Sequence, residues 1–391
     1  MNPFLHMFNP AARHIPAHPV TSPATNVPTH SPPPRKAGYA LADIPQWAWD
    51  ALLLGAGAGA GIAGYALFHE PLNLRLEHVD IYLDVEPGQL PPQGLTILQL
   101  SDTHFRGADW REQPKIRQIH ELCRTLDYDL LVHTGDFLHY DSGLPNVVKL
   151  LDGLPKPRLG SYAVLGNHDY MTYSYNEIMT RSWTAYQADS RRARRRALPR
   201  LKFGLWGWMG LFVRFGYYFF NAPLALKRSG ANNIAKLEAA LARHDIQMLY
   251  NRAVHLRAPV CPESDSCSEL DVWLAGVDDL TEGSPNLDTA LDGVPANAPV
   301  VLLAHNPGIL LEPGSQRADV ILSGHTHGGQ IVLPFVGAAH TQTTQLRRNH
   351  VSGHLRRGNT HIYITRGIGE GIPIRFAAPP QIALITLYPK L

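Results

Sequence analysis

The sequence predicts an α/β fold whose strands are buried and end in polar loops. Short apolar runs recur along the chain, each ends in a polar cluster, and segments with helical spacing separate some of them. With 391 residues, the chain is long enough for one large α/β domain with additions or for two domains. The 35 Lys and Arg nearly balance the 33 Asp and Glu, so no overall field favours nucleic acid, and 3 cysteines exclude a disulfide scaffold.

The first part of the chain differs in composition from the rest. Residues 1–40 are rich in Pro, Ser, Ala and Thr and show no periodicity, which predicts a disordered, Pro-rich leader. No apolar region of the kind found in a cleaved signal peptide follows the first residues.

An apolar segment, WAWDALLLGAGAGAGIAGYALF, covers residues 47–68, with no charge after Asp50. Its length is near the lower limit for crossing a bilayer, and small residues at four-residue spacing suit helix packing in lipid. We therefore predict a transmembrane anchor helix, with a buried Ala/Gly helix or linker as the alternative. Because Arg35 and Lys36 precede the segment and Glu70 follows it, the positive-inside rule favours a C-terminal domain outside the cytoplasm.

The remaining elements follow in a regular order. HVDIYLDV and GLTILQLSD predict strands, QPKIRQIHELCRTLD predicts a helix, and DLLVHTGDF and GSYAVLGNHDY predict two more strands. DVWLAGVDD, APVVLLAHNPG and ADVILSGHTHGG predict three further strands. Cys123 lies on the apolar face of the predicted helix and is interpreted as a core residue. Because the carboxyl ends of strands in such a sheet meet at one edge, we expect the chemistry there.

Five of these strand ends carry carboxylate, amide or imidazole groups. One such cluster can be a satisfied polar loop, but five together indicate metal, because buried charges and imidazoles are costly unless paired. Mixed nitrogen and oxygen donors suit Mn, Fe or Zn, and the number of groups predicts two divalent transition-metal ions, the arrangement typical of phosphoryl chemistry. Asp136, from a central strand, is the natural shared carboxylate. The groups are Asp102, His104, Asp136, Asn167, His168, Asp169, His305, His325 and His327.

The stretch ILSGHTHGGQI places two of these histidines one residue apart. We expect His325 and His327 to point the same way from an extended stretch, because residues i and i+2 share a face, and so to reach two neighbouring ions. Gly328 and Gly329 would then let the backbone turn away and leave room for the substrate.

The motifs DTH, GD, GNHD, AHNP and GHTHGGQ together resemble the calcineurin-like metallophosphoesterase superfamily. The resemblance implies a four-layer α-β-β-α sandwich over a domain at 75–391, and a metal-dependent phosphohydrolase in which activated water attacks a phosphoester or pyrophosphate. It also implies a ligand set in which Asp136 is shared by both metals. The first metal would be held by Asp102, His104 and His327, and the second by Asn167, His305 and His325.

The same resemblance implies roles for the GNHD loop. His168 would contact the substrate, where it steadies the phosphate oxygens or protonates the leaving group. Asn167 would help to stabilise the developing charge, and Asp169 would orient its neighbours. No ligand position departs from the pattern, which argues against a non-catalytic scaffold of the same fold.

The C-terminal block TRGIGEGIPIRFAAPPQIALITL is similar to the bacterial subgroup typified by YkuE and YaeI. Members of that subgroup tend to be membrane-associated and linked to lipid or cell-envelope phosphoesters, and a related branch includes the chlamydial-type UDP-2,3-diacylglucosamine pyrophosphatase. The resemblance therefore implies a protein anchored in the inner membrane of a bacterium, with its catalytic domain outside the cytoplasm. It also implies a membrane lipid or lipid-linked phosphoester as substrate, with a soluble nucleotide or phosphoprotein as the alternative. Arg366 and Arg375 either bind the phosphate or pair with local carboxylates.

A long segment between GNHD and DVWLAG predicts an inserted cap or membrane-contact element over 172–248. It carries SRRARRRALPRLK (190–202) and then FGLWGWMGLFVRFGYYFFNAPLAL (203–226). Cations beside aromatic residues suit an interfacial element on anionic lipid, and a cap that packs only on its own domain is the alternative. The anchor and the balanced charge argue against nucleic acid, and no specific protein partner is predicted.

Cys261 and Cys267 flank PESDS in a predicted hairpin. Paired strands there could bring the two sulfurs within bridging range, which would suit an exported domain. Two free thiols in a loop are the alternative, and the sequence leaves both open.

Overall fold

The computed structural model describes residues 45–174, 227–260, 268–339, 341 and 350–390. The predicted leader over 1–40, the basic and aromatic runs at 190–226, and Cys261 with Cys267 lie outside these residues. The predicted α/β class is confirmed, because the described chain forms two six-stranded sheets with helices beside them. The described residues from Ala56 onward form one compact unit.

The first sheet contains the strands that precede the DTH, GD and GNHD motifs. They are β1 (Arg75–Leu83), β2 (Leu95–Leu100), β3 (Leu130–Thr134), β4 (Ser161–Val164), β7 (Ile246–Met248) and β16 (Gln381–Pro389). Their order is β1-β16-β2-β3-β4-β7. β2, β3, β4 and β7 run parallel, whereas β16 is antiparallel to β2 and parallel to β1.

The second sheet contains the strands that precede the AHNP and GHTHGG motifs. They are β8 (Arg252–Val260), β9 (Ser268–Gly276), β10 (Val300–Leu303), β11 (Val320–Ser323), β14 (Gly353–Arg357) and β15 (Thr360–Ile364). Their order is β14-β15-β11-β10-β9-β8, with four central parallel strands and antiparallel edges. The predicted hairpin is confirmed as β8–β9, in which Val260 lies opposite Ser268.

Four helices cover the outer faces of the two sheets, namely α2 (Glu112–Cys123), α3 (Leu144–Asp152), α5 (Ile234–Ala242) and α6 (Leu287–Ala290). The one-turn helix α4 (Asn167–Tyr170) contains the GNHD motif and follows β4. Ile116, Ile119 and Cys123 share one face of α2 and are fully buried, which confirms that Cys123 is a core residue.

The apolar residues form three separate cores, and strand alternation distributes the side chains among them. Ile97 packs in the core between the two sheets, whereas the next residue, Leu98, packs against α2 and α3 on the outer face. On the second sheet, Leu303 likewise packs in the core between the sheets, whereas Leu302 packs on the outer face in the same core as α6. Helices, sheet, sheet and helices make the predicted four-layer sandwich.

The chain after the GNHD motif leaves the sandwich and returns to it. β5 (Met171–Ser174) and β6 (Lys227–Ala231) form an antiparallel ribbon. α5 then packs into the outer core, and β7 pairs with β4. Residues 234–248 therefore belong to the domain core, although the sequence placed them in the insertion over 172–248; a helix with an apolar face does not by itself show which sheet it covers.

Two further elements lie near the amino terminus and after β11. α1 (Gln46–Gly64) continues through a π-helical turn and a 3-10 turn to Leu72, and Trp49–Leu72 is the one helix in the described chain that is long and apolar enough to cross a membrane, with only 6% buried. A short hairpin of β12 (Val332–Leu333) and β13 (Gly337–Ala338) follows β11.

Candidate metal centre

The polar groups that end β2, β3, β4, β10 and β11 are buried at one edge of the sandwich. Each predicted ligand lies in the loop directly after its strand, where the carboxyl ends of the parallel strands meet. All of them are less than a tenth exposed, namely Asp102, His104, Asp136, Asn167, His305, His325 and His327. Buried polar groups at this density need compensating partners.

One group of three donors combines the DTH loop with the GHTHGG loop. The ligand atoms of Asp102, His104 and His327 lie within 4.8 Å of one another. The Nε2 atoms of the two imidazoles face each other at 3.0 Å, and Asp102 Oδ1 is 3.9 Å from His104 Nε2 and 3.7 Å from His327 Nε2. Three donor atoms that converge in this way could bind one metal ion.

A second group of three donors lies beside the first. Asp136, His305 and His325 also place ligand atoms within 4.8 Å of one another, with His325 Nδ1 3.1 Å from His305 Nε2. Asp136 Oδ2 is 3.2 Å from His305 Nε2 and 3.3 Å from His104 Nε2, which belongs to the first group. The Asp136 carboxylate therefore lies between the two groups.

The backbone at these donors differs from the extended conformation that the sequence predicted. Residues 325 and 327 have φ of 68° and 52°, so the histidines leave the strand from left-handed positions. They nevertheless enter different groups, as expected. Asp102, His104 and Asp136 are also left-handed, with φ of 52°, 46° and 56°. Such conformations cost roughly 1–3 kcal/mol each and persist only where the surroundings enforce them, a pattern typical of functional sites.

Glycines let the loops approach the donor carboxylates. A Cβ on Gly166 would overlap Asp136 Oδ1 and lie 2.7 Å from Asp136 N. A Cβ on Gly324 would overlap the side chains of Ser101 and Asp102. Neither position can accept a side chain without moving a donor.

Hydrogen bonds hold the donors in place. Asp169 accepts from three backbone N–H groups, those of Asp136 (2.8 Å), Leu138 (3.0 Å) and Gly166 (3.0 Å). The Asp169 carboxylate therefore connects the GD loop to the GNHD loop. This position is consistent with the prediction that Asp169 orients neighbouring residues.

Hydrogen bonds orient two of the predicted ligands, His305 and Asp102. His305 Nδ1 lies 2.7 Å from the carbonyl of Thr134, and since a carbonyl only accepts, this nitrogen carries the proton and leaves Nε2 facing Asp136. Ser101 Oγ donates to Asp102 Oδ2 at 2.6 Å.

The electrostatics leave three of the donors in the forms that bind metal. Burial lowers the pKa of His104 and His327 well below the usual range, so both imidazoles are neutral at neutral pH. Burial alone would raise the pKa of Asp136, but the facing histidines, His305 first, lower that pKa well below its usual range. Against the effect of burial, the Asp136 carboxylate raises the pKa of His305 to about 10, and burial raises the pKa of Asp102 to about 7. These two donors must therefore release a proton when a cation binds, because metal ligands are neutral imidazoles and ionised carboxylates.

Several buried atoms at this edge have no hydrogen-bond partner within the described chain. They are Asn167 Oδ1, His104 Nδ1, His168 Nδ1 and His327 Nδ1. A buried acceptor without a donor costs about 1–3 kcal/mol, which a cation near Asn167 Oδ1 would recover. The residues present therefore fit a metal pair, Asn167 included.

His168 lies against the first donor group. Its ring centroid is 4.6 Å from that of His104 and 4.8 Å from that of Tyr173. Its backbone N–H donates to Asp136 Oδ1 at 2.8 Å, and its carbonyl accepts from Asn232 at 2.8 Å. Burial lowers the pKa of His168 to about 4, so the imidazole is neutral near pH 7.

The two arginines predicted as substrate contacts are engaged elsewhere. Arg375 is fully buried and donates to Glu370 at 3.1 Å and to surrounding carbonyls. Arg366 donates to Glu77 at 3.1 Å and to the carbonyl of Pro379 at 3.0 Å. Both pair with local carboxylates, the alternative that the sequence left open.

Sequence reasoning missed two buried polar residues at this edge. The His139 ring stacks on that of His168 with centroids 5.0 Å apart, and its ligand atom groups with those of His104 and His168. Asp279 follows β9, and burial raises its pKa to about 6. Both residues follow apolar runs, as the predicted ligands do. That position in the sequence could have identified them as residues of the site.

Comparisons with known proteins agree with this geometry. The model of the calcineurin-like phosphoesterase family matches residues 95–329. The chain is 29% identical to the UDP-2,3-diacylglucosamine pyrophosphatase LpxG of Chlamydia muridarum, over 81% of this chain and 90% of that protein. It is 26% identical to the uncharacterized metallophosphoesterase YkuE of Bacillus subtilis, over 86% and 93%. It is 28% identical to a transmembrane protein with metallophosphoesterase domain of Danio rerio, over 84% and 60%.

Proposed function

Because the chain belongs to the calcineurin-like phosphoesterase family, we propose that it hydrolyses a phosphoester or pyrophosphate bond of a lipid-linked or cell-envelope substrate, with two divalent metal ions. The observation that carries the two-ion part is the Asp136 carboxylate, whose Oδ2 lies 3.3 Å and 3.2 Å from imidazole nitrogens of two different donor groups. A carboxylate between two such groups is the usual arrangement of a bimetallic hydrolase.

In this proposal each donor group would hold one ion, and Asp136 would be shared by both. Asp102, His104 and His327 would hold the first ion, and Asn167, His305 and His325 would hold the second. When bound, Mn, Fe or Zn ions at these positions neutralise phosphate charge and make an attacking water more acidic. The left-handed backbone of the loops and the three hydrogen bonds to Asp169 fix the positions of the donors. Little reorganisation of the site is therefore needed when charge develops on the phosphate in the transition state.

His168 then acts on the phosphate as a neutral hydrogen-bond donor. Its lowered pKa, about 4, favours steadying a phosphate oxygen over proton donation to the leaving group, the other role considered above. The backbone of His168 is hydrogen-bonded to Asp136 through its N–H and to Asn232 through its carbonyl, so the position from which the ring extends is fixed.

Three observations support a lipid-linked substrate. One relative is named as a pyrophosphatase of a diacylated nucleotide sugar, and the similarity spans 90% of its length. The apolar helix Trp49–Leu72 precedes the domain, which supports membrane anchoring. The ribbon β5–β6 starts directly after the GNHD loop and leads to the basic and aromatic segment, which supports a cap near the donors.

The test uses the full chain purified in detergent. We expect it to contain transition metal by elemental analysis and to hydrolyse UDP-diacylglucosamine or a glycerophospholipid faster than a water-soluble nucleotide. Asp136→Asn should lose hydrolysis of an artificial aryl phosphodiester by at least about 100-fold, together with metal. The matched control is Asp245→Asn, because that side chain is 82% exposed and pairs with Lys156 on the surface.

Different failures bear on different parts of the proposal. A metal-containing protein that prefers soluble nucleotides would overturn the lipid-linked substrate and leave the bimetallic site standing. An Asp136→Asn protein with unchanged metal content and rate would overturn the site.

A further inference from the structure

The apolar helix joins the domain at the edge that carries the donor groups. Its final turn, Glu70–Leu72, leads directly into β1, which begins at Arg75. Arg75 lies opposite Gln381 at the start of β16, and β16 runs antiparallel to β2, whose carboxyl end leads to Asp102. The amino end of β1 therefore lies at the end of the sandwich that carries the donor groups, which we call the metal edge. The carboxyl end of β1, near Tyr82, lies at the opposite end of the sandwich.

The end of this helix is fixed to the domain by packing and hydrogen bonds. Ala66, Glu70 and Pro71 are buried, and Glu70 accepts a hydrogen bond from the backbone of Ala378. The carbonyl of Ala66 accepts from the Arg375 backbone at 3.0 Å. The point where the helix leaves the domain is therefore set by the tertiary structure.

Large apolar side chains lie exposed around this junction. Phe68 at the helix end and Trp110 in the loop after DTH have ring centroids 6.3 Å apart, and both are more than half exposed. Tyr65 packs edge-on against Phe376 at 6.4 Å, which brings the helix end to the loop that precedes β16. Aromatic residues exposed together on a folded domain mark an interaction surface.

The tip of the β12–β13 hairpin extends the same surface. Phe335 is fully exposed and has a left-handed φ of 64°, and its neighbour Val336 is also exposed. A bulky aromatic residue is unfavourable at such a position, where glycine or asparagine suits the turn, and nothing in the described chain packs on it. The base of the hairpin pairs with Phe376, since Val332 N donates to its carbonyl at 2.8 Å.

The loops that carry these side chains are tied to the donor loops. Gln330, three residues after His327, donates to the carbonyls of Ile372 and Ile374 at 2.7 and 2.8 Å. Arg106, two residues after His104, donates to the carbonyl of Gly371 at 2.7 Å. Hydrogen bonds therefore connect the loops of the exposed apolar surface to the loops of the donor groups.

We propose that this surface, formed by Phe68, Trp110, Phe335 and Val336, contacts the lipid headgroup and upper acyl region of the bilayer that the apolar helix enters, so that the metal edge faces the membrane. The inference rests on the membrane anchoring in the proposed function. The occupant is a bilayer because a helix long and apolar enough to span one continues directly into the patch. Trp and Phe beside the end of such a helix are the residues that favour the membrane interface.

This orientation has a consequence for substrate access. An ester whose acyl chains stay in the bilayer presents its phosphate at the headgroup level, and a metal edge turned toward the membrane meets it there. An edge turned away would require the whole lipid to leave the bilayer and expose its acyl chains to water, which is unfavourable.

The test measures the depth of single fluorescent labels. In the full chain with Cys261→Ser and Cys267→Ser, we would introduce Trp110→Cys, Phe335→Cys or, as the matched control, Tyr82→Cys. Trp110 and Tyr82 are 56% and 57% exposed, and they lie at opposite edges of the first sheet. Cys123 stays unlabelled, because it is buried and burial raises its pKa to about 12. Each protein is labelled with an environment-sensitive dye and reconstituted into phosphatidylethanolamine–phosphatidylglycerol vesicles.

Vesicles with doxyl groups high on the acyl chain should quench the labels at 110 and 335 at least about twofold and leave the label at 82 unchanged, because interfacial side chains reach about 5–10 Å into the headgroup boundary. Equal quenching at 335 and 82 would overturn the proposal. Self-quenching that rises with protein density, without doxyl quenching, would assign the surface to a second copy and also overturn it. Hydrolysis of a water-soluble aryl phosphodiester by the same samples reports separately on the donor groups, so failure of the proposed function is distinguishable.

Discussion

The substitution Asp169→Asn tests whether one carboxylate holds the metal edge together. Asp169 is fully buried, and its two oxygens accept three backbone N–H groups. Asparagine has the same shape but only one acceptor oxygen. If that oxygen keeps the bonds to Asp136 and Gly166, the new NH₂ group faces the N–H of Leu138, and two buried donors oppose each other.

The magnitude follows from those two donors. Each buried donor without an acceptor costs about 1–3 kcal/mol, so the free energy of unfolding should fall by about 2–6 kcal/mol. For a domain of this size the apparent melting temperature should fall by roughly 3–9 °C. Because the lost bond lies in the Asp136 loop, turnover should fall by about 10–100-fold, the usual loss when a group behind a metal ligand is removed.

The assay combines thermal unfolding, metal content and hydrolysis of an aryl phosphodiester on the same samples. Asp152→Asn is the control, because that carboxylate is 65% exposed, pairs with His244, and should change stability by less than about 0.5 kcal/mol. An Asp169→Asn protein that melts, binds metal and turns over like the unmodified chain would refute the reasoning.

Three other outcomes are expected. His168→Ala should lower kcat by about 10²–10³-fold with unchanged metal content, the loss typical of one donor to the transition state, and an equal loss of metal would show that His168 is a ligand. Gly166→Ala should lower metal occupancy and activity together, because its Cβ would overlap Asp136 Oδ1; full occupancy would contradict the close approach. Burial alone would raise the pKa of Asp109, but hydrogen bonds from Arg111 lower it to about 2, so its contribution to stability is complete above about pH 4 and is lost as pH falls toward 2. Acid unfolding of Asp109→Asn should therefore be less steep in that window, and an identical slope would count against the ion pair.

The donor residues could be predicted from the sequence because each lies at the end of an apolar run. Strand burial produces runs such as LTILQL and VVLL, and the polar residues that follow them stand out. The conformation of the donors could not be predicted in the same way. His325 and His327 are left-handed, where the period-two rule for extended chain predicted a shared face.

Some residues were ambiguous because their partners are distant in sequence. Arg375 pairs with Glu370, but its complete burial depends on the helix end near Ala66 and on the loop at Ala378. His139 has no motif of its own and becomes a neighbour of His168 only when β3 and β4 pair. Residues 234–248 have an ordinary helical pattern, and only the pairing of β7 with β4 assigns them to the sandwich.

The sequence by itself determined the α/β class, the apolar helix and the identity of the donors, because these depend on local periodicity and on side chains that follow strands. The tertiary structure decided which donors meet, where Asp136 stands between them, and which edge the helix approaches. Those properties depend on strand order and on the direction of β1 and β16, which are set by contacts between segments that are far apart in the chain. Local pattern fixes which face of a strand is apolar, and only packing of the whole sandwich fixes which ends of the strands meet.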